Sequence, residues 1–193
     1  MKRSIYSIIV SIFLVFIGCT QAPALKTYSL AVPTVKAVQH SRYQKQSLKV
    51  MYPQSLRESI SQKMNFSYSV NDRGVYQNAQ WSNHVSKILQ GTFVEIIENA
   101  KIFKAVLADT STAEENYRLE SNIFAFSHSV RGAASHAMVS IQFNLIDSHT
   151  GYLIKSKRFS YQEPTQTLDA KGYVLATNVI MRRLSRDLVE WLR

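Results

Sequence analysis

The chain has 193 residues, 46% hydrophobic and 19% charged, and its 23 Lys and Arg outnumber its 13 Asp and Glu for a formal charge of +10. That composition excludes a disordered chain, and with 6 Gly and 4 Pro there is no low-complexity stretch. The basic balance favours anionic partners such as phosphate-bearing lipid or an acidic protein face; no arginine-aromatic signature of an RNA-binding sheet is present, so nucleic acid is not expected.

Lys2 and Arg3 open the chain, and an apolar run from Ile5 to Ile17 follows, broken only by Ser7 and Ser11. A positive start, a short apolar segment and a small residue before a cleavage point read as a secretory signal over residues 1–18. The run is too short for a comfortable permanent span, which needs nearer 20 residues. Ile17-Gly18-Cys19 resembles a bacterial lipobox, with Phe16 where leucine is usual. Cys19, the single cysteine, is therefore the expected lipidation site and mature first residue; a lone free thiol would otherwise be a liability in an oxidising compartment. Removal of Lys2 and Arg3 with the signal takes the charge from +10 to +8.

Residues 19–46 read as the lipidated N-terminus and a tether of 20 or more residues, with Thr27 to Leu30 able to form a short first strand. A single domain is expected over 47–193. Leu48, Val50 and Tyr52 alternate as a half-buried strand ended by Pro53. Residues 54–63, with Leu56 and Ile60 four apart, predict a loop or short helix. Met64, Phe66, Tyr68 and Val70 alternate cleanly, and Asn71-Asp72-Arg73-Gly74 is a turn. A helix is predicted from an N-cap at Asn78, with Trp81, Val85, Leu89 or Ile88, Thr92 and Ile96 as its apolar stripe; Gly91 suggests close approach to a sheet. Phe103, Ala105 and Leu107 form the next strand, and 109–116 a polar linker.

Three strands follow. The first starts at Tyr117 and puts Leu119 and Ile123 on one face but Phe124 and Phe126 on the other. Either both faces are covered there or a bulge shifts the register. Phe124 and Phe126 are the candidate partner-binding patch; the alternative is that a bulge or the N-terminal segment buries them. Residues 127–135 predict a loop at Arg131-Gly132. The second strand alternates from Ala137 to Leu145, with Phe143 in its apolar row. Asp147 to Gly151 is a hairpin connection, and the third strand runs from Tyr152 to about Tyr161, closed by Pro164. The last helix spans about Leu168 to Leu192, with Arg183–Asp187 and Arg186–Glu190 as i,i+4 pairs. The expected fold class is α+β: two layers, a mainly antiparallel sheet with both long helices on one face.

Catalytic and cofactor signatures are missing. Neither phosphate-cradling glycine loop occurs, no GxSxG elbow occurs, and the five histidines (His40, His84, His128, His136, His149) lack metal-ligand spacing and read as surface residues. Glu114, Glu115 and Glu120 read as solvated. The chain is not expected to be an enzyme or to hold a metal or cofactor.

Tyr117-Arg118-Leu119-Glu120, followed by Ile123 and Phe126, resembles the signature strand of the ABC-type transport auxiliary lipoproteins, a family that includes paraquat-inducible protein C. Tyr28-Ser29-Leu30, Leu48-Lys49-Val50, Trp81 opening the first helix, Asp147 and Gly151 about the hairpin, and Trp191-Leu192 at the end agree in order. The resemblance implies a non-catalytic, periplasm-facing lipoprotein whose partners are an MCE-domain protein, a permease and an ATPase that move lipid between the two membranes. Thr20, in place of an aspartate retention signal, implies the outer membrane; the inner membrane's periplasmic face is the alternative. The resemblance leaves a homo-oligomer open. Other readings are a lipid-binding shuttle, an assembly lipoprotein similar in layout to those of lipopolysaccharide assembly, or a structural envelope lipoprotein.

Overall fold

The computed structural model describes residues 23–55 and 61–193. The signal over 1–18, the lipidation site Cys19, and Leu56 and Ile60 of the expected short helix lie outside the described residues.

The elements are β1 (Lys26–Tyr28), β2 (Ser47–Val50), β3 (Gln54–Ser55), β4 (Lys63–Ser67), β5 (Arg73–Trp81), α1 (Val85–Asn99), β6 (Ala105–Ala108), β7 (Tyr117–Arg131), β8 (Ala134–Asp147), β9 (Leu153–Pro164) and α2 (Ala170–Leu192). Among the described residues they make one mixed nine-stranded sheet with two helices. β7 is its hub. Along one edge β7 takes β2 at Tyr117–Leu119, β3 at Asn122–Ile123 and β4 at His128–Ser129, all parallel. Its other edge takes β8 antiparallel over its whole length, and β8 takes β9 likewise. The two long ladders are thus antiparallel, the short ladders on β7 are parallel, and the short β4–β5 ladder is antiparallel.

Alternation fixes which side is dry. Ala137, Val139, Ile141, Phe143 and Leu145 of β8 are buried in one row, because successive strand side chains point to opposite faces. Both helices lie on that row. Phe143 meets Phe93 of α1 edge-on at 5.1 Å, Phe159 of β9 at 6.0 Å and Trp191 of α2 at 6.4 Å. Every core residue among the described ones falls between Tyr28 and Leu192.

Four local expectations are corrected. The first helix starts at Val85, not Asn78. Residues 73–81 stay extended because β5 is hydrogen-bonded to β1 on one side and β4 on the other. Trp81, four residues before Val85, matched the helical stripe by spacing alone; it ends β5, buried against Phe126 and Tyr173. Gly91 does not bring α1 close to the sheet: a side chain there would meet open space. The loop expected over 127–135 is a tight hairpin, since Gly132 at φ 60° supplies the left-handed turn that lets β7 run on to Arg131. In α2, Arg183 reaches across to Glu163 of β9, Arg186 meets its neighbour Asp187, and Glu190 meets Arg193; the expected i,i+4 pairs do not form.

The segment read as a tether is largely laid onto the domain. Leu30, Pro33 and Tyr43 are buried. Ala31 N–H donates to Asn178 Oδ1 (3.0 Å) and Val38 N–H to the Ala100 carbonyl (2.8 Å), and Tyr43 stacks on Phe103 at 5.1 Å. Residues 29–46 therefore form a strap over α2 and the end of α1.

Phe143→Ala is expected to cost about 3–5 kcal/mol, since it opens a cavity under both helices. Denaturant unfolding of residues 20–193 reads this directly, and a loss under about 1 kcal/mol would contradict the shared-core assignment.

A candidate partner-contact face on the open side of the sheet

The β7–β8 ladder carries one extra residue. Ile123 pairs with Ile141 and Ala125 with Ser140, so Phe124 has no partner and forms a bulge. The bulge shifts the parity of everything after it. Phe126, on the opposite parity to Ile123 by sequence, is turned back into the core, 3% exposed against Trp81. Phe126 therefore leaves the expected contact patch. Phe124 stays on the open face, half-buried, with the Arg158 guanidinium 3.3 Å above its ring centroid, a cation–π arrangement.

Around Phe124 the open face is polar and largely self-satisfied. The hydroxyls of Ser140 and Ser160 share a bond at 2.7 Å. Gln142 Nε2 donates to Asn144 Oδ1 and Ser156 Oγ, and Ser156 Oγ donates to Asn144 Oδ1 at 2.6 Å. Beside Phe124 lies a shallow hollow of about 400 Å³ whose lining includes Val70, Arg73, Arg131, Met138 and Gln162. No Asp or Glu among the described residues lines it. The hollow is therefore basic, with one aromatic anchor and a few apolar side chains, the chemistry that accepts an acidic protein surface.

Behind the face, on the buried side, sits a network the sequence reading placed at the surface. His128 has no exposed area. After the bulge it shares inward parity with Phe126 and Val130, which is the signal that could have found it. Its Nδ1 is 2.7 Å from Tyr76 Oη, and Tyr76 Oη donates to the Leu168 carbonyl at 3.3 Å. Nε2 lies 3.5 Å from Thr165 Oγ1, itself bonded to Ser135 Oγ. The tautomer with the proton on Nδ1 satisfies all of these. The ring stacks on Tyr173 of α2 at 5.3 Å and 2°. Burial pushes the His128 pKa down, against the opposing pull of Asp169, and pushes Tyr76 up to about 12. The network joins β5, β7 and the start of α2, where Asp169 accepts from Gly172 N–H at 2.9 Å as the N-cap.

Glu115 is also buried, not solvated. Lys49 Nζ lies 2.5 Å from its carboxylate and Arg118 Nε 2.6 Å. Burial opposes its charge, yet the hydrogen bonds and charges of Lys49 and Arg118 prevail and hold it down at about 2. The cluster clamps β2 to the start of β7, helped by Asn116 Oδ1 accepting from Ser47 N–H at 2.8 Å. Neither cluster opens onto the hollow, and each is satisfied within itself.

A model of the family described as "ABC-type transport auxiliary lipoprotein component" matches residues 28–189. The chain belongs to this family. A protein of Bradyrhizobium diazoefficiens is 22% identical over 171 residues, covering 88% of this chain and 46% of its own length, so the chain spans about half of that relative. The crystal structure of protein XCC0632 from Xanthomonas campestris is 19% identical, covers 86% of this chain and 94% of that one, and superposes with a TM-score of 0.76. A second crystal structure, at 13% identity, covers 88% of this chain and 99% of that one with a TM-score of 0.68. These likenesses establish a shared fold.

The buried histidine gives a pH dependence. Its folded pKa lies below the ordinary value near 6.5, so the unfolded chain binds the extra proton first and stability falls as pH drops below about 6.5. Glu115, with Asp147 and Asp169 also lowered, adds its loss only below about pH 4.5. Denaturant midpoints between about pH 7.5 and about pH 5 are expected to fall in the wild type and to stay flatter in His128→Gln, once that variant's lower starting stability is subtracted. Equal slopes would contradict the assignment.

Proposed function

We propose that this member of the auxiliary lipoprotein family is a non-catalytic adaptor in an ABC-type system that moves lipid between the two membranes. Its partners in this reading are an MCE-domain protein with its permease and ATPase. Cys19 carries the lipid that anchors it, on the periplasmic face of the outer membrane. What carries the adaptor role is the division of the two sheet faces. The apolar stripes of both helices and of the inner face close on one another in a single core cluster. The other face is left polar and basic, with Phe124 and Arg158 at its bulge. That arrangement supports contact with an acidic protein surface over enclosure of a lipid.

Phe124→Ser leaves the core untouched and is expected to weaken capture of the periplasmic part of the MCE-domain protein at least tenfold, about 1.4 kcal/mol. Unchanged capture by the folded variant would contradict this role for the face. The anchor is read separately: Cys19→Ala is expected to abolish incorporation of a fatty-acid analogue, and label retained by that variant would refute lipidation there.

A further inference from the structure

A second basic concavity lies on the far side of the domain from the bulge. The strap over residues 34–40 and the last turns of α2 enclose a groove of about 850 Å³. Its charged lining is Lys36, Arg182, Arg186 and Arg193 against Glu190. Arg182 and Arg186 are four apart on one helix face, where like charges repel. Little in the protein offsets them. Arg186 reaches Asp187 only at 3.4 Å, and Asp187 also accepts from Tyr161 Oη at 2.7 Å. Arg193 is paired with Glu190. Among the described residues the side chains of Lys36 and Arg182 have no hydrogen bond or ion pair. Val35, Val38 and Val189 supply an apolar wall beside the cations.

We infer that this groove binds a phosphate-bearing anion, presented by the headgroup of a membrane phospholipid. The volume is that of a small-molecule site. Cations with no internal partner beside an apolar wall suit a ligand with an anionic head and an apolar stem. A broad acidic protein surface would instead need a flatter patch. Position adds to this, and here the inference rests on Cys19 being the anchor. Only residues 20–25 separate Cys19 from β1, which limits their span to about 25 Å at roughly 3.5 Å per residue. The groove's strap residues begin 15 residues after Cys19, a chain length of at most about 50 Å, so the groove stays within reach of the lipid surface, where each Lys or Arg strengthens attraction to anionic lipid. The site differs from the Phe124 face in ligand and in elements.

The test uses residues 20–193, which hold every core residue among the described ones, and water-soluble short-chain phosphatidylglycerol as the probe, so it does not depend on the anchor. Chemical shifts or calorimetry are expected to show saturable binding. Arg182→Glu with Arg186→Glu is expected to weaken it about tenfold or more with unchanged thermal unfolding. Lys63→Glu with Lys87→Glu, the same change of net charge elsewhere, is expected to leave it within about twofold. Sedimentation with vesicles of phosphatidylcholine, with and without phosphatidylglycerol, is expected to follow the same order and to require the anionic lipid. Inorganic phosphate separates the sources. Weaker binding than the short-chain lipid supports a headgroup ligand, and equal binding overturns it in favour of free phosphate. Absence of binding, or equal loss in the control pair, overturns the site. Because Cys19 labelling is scored independently, failure here and failure of the anchoring reading are distinguishable.

Discussion

One unpaired residue in the β7–β8 ladder governs what each face of the molecule presents. Up to Ile123 the odd-numbered positions of β7 face the helices; after Phe124 the even-numbered ones do. A strand with period two can change face in this way only by inserting or losing a residue. The shift delivers Phe126 to Trp81 and His128 to Tyr76 and Tyr173. It also leaves the inserted phenylalanine on the open side, where Arg158 covers it. The feature that completes the lower core and the feature that marks the candidate contact face are thus the same residue.

The polar groups inside the fold act as fasteners for the hub strand. Glu115, held by Lys49 and Arg118, secures one end of β7 to β2. His128 secures the other end to β5 and to the approach to α2. Buried groups of this kind are tolerated because each finds partners. The N-terminal strap closes the remaining side, stacking Tyr43 on Phe103 and running over α2. In the proposed reading, with Cys19 as the anchor, the strap would keep the domain within reach of the membrane and leave the open sheet face to a partner.

The sequence was most informative where one period ran unbroken. β8 was legible from Ala137 to Leu145, as were α2, the stripe of α1 from Val85 onward and the two-layer α+β class, because each buries one continuous face. The strand order Tyr117-Arg118-Leu119-Glu120 and its companions also pointed to the family. Legibility failed where tertiary contacts overrode spacing. Trp81 sits at a helical interval from Val85, yet hydrogen bonding to two neighbouring strands keeps it extended. By alternation Phe126 reads as outward, with a bulge as the open alternative, because a bulge cannot be located when both parities carry apolar residues, and His128 reads as a surface residue of a 127–135 loop; only the ladder with β8 decides both. Glu115 looked solvated because its partner Lys49 is remote in sequence. The strap had no period at all, since its burial comes from single residues seated between elements.

The parity shift is tested most directly by comparing deletion of Phe124 with Phe124→Ala in denaturant unfolding of residues 20–193. Deletion removes the extra residue, so Phe126, His128 and Val130 must turn outward or the ladder must tear. The substitution keeps the backbone count and trims a half-exposed ring. The account predicts that Phe124→Ala stays within about 1 kcal/mol of wild type. Deletion should cost more than about 3 kcal/mol, the scale of losing one large core aromatic, or prevent folding. A deletion variant as stable as the alanine variant would contradict it.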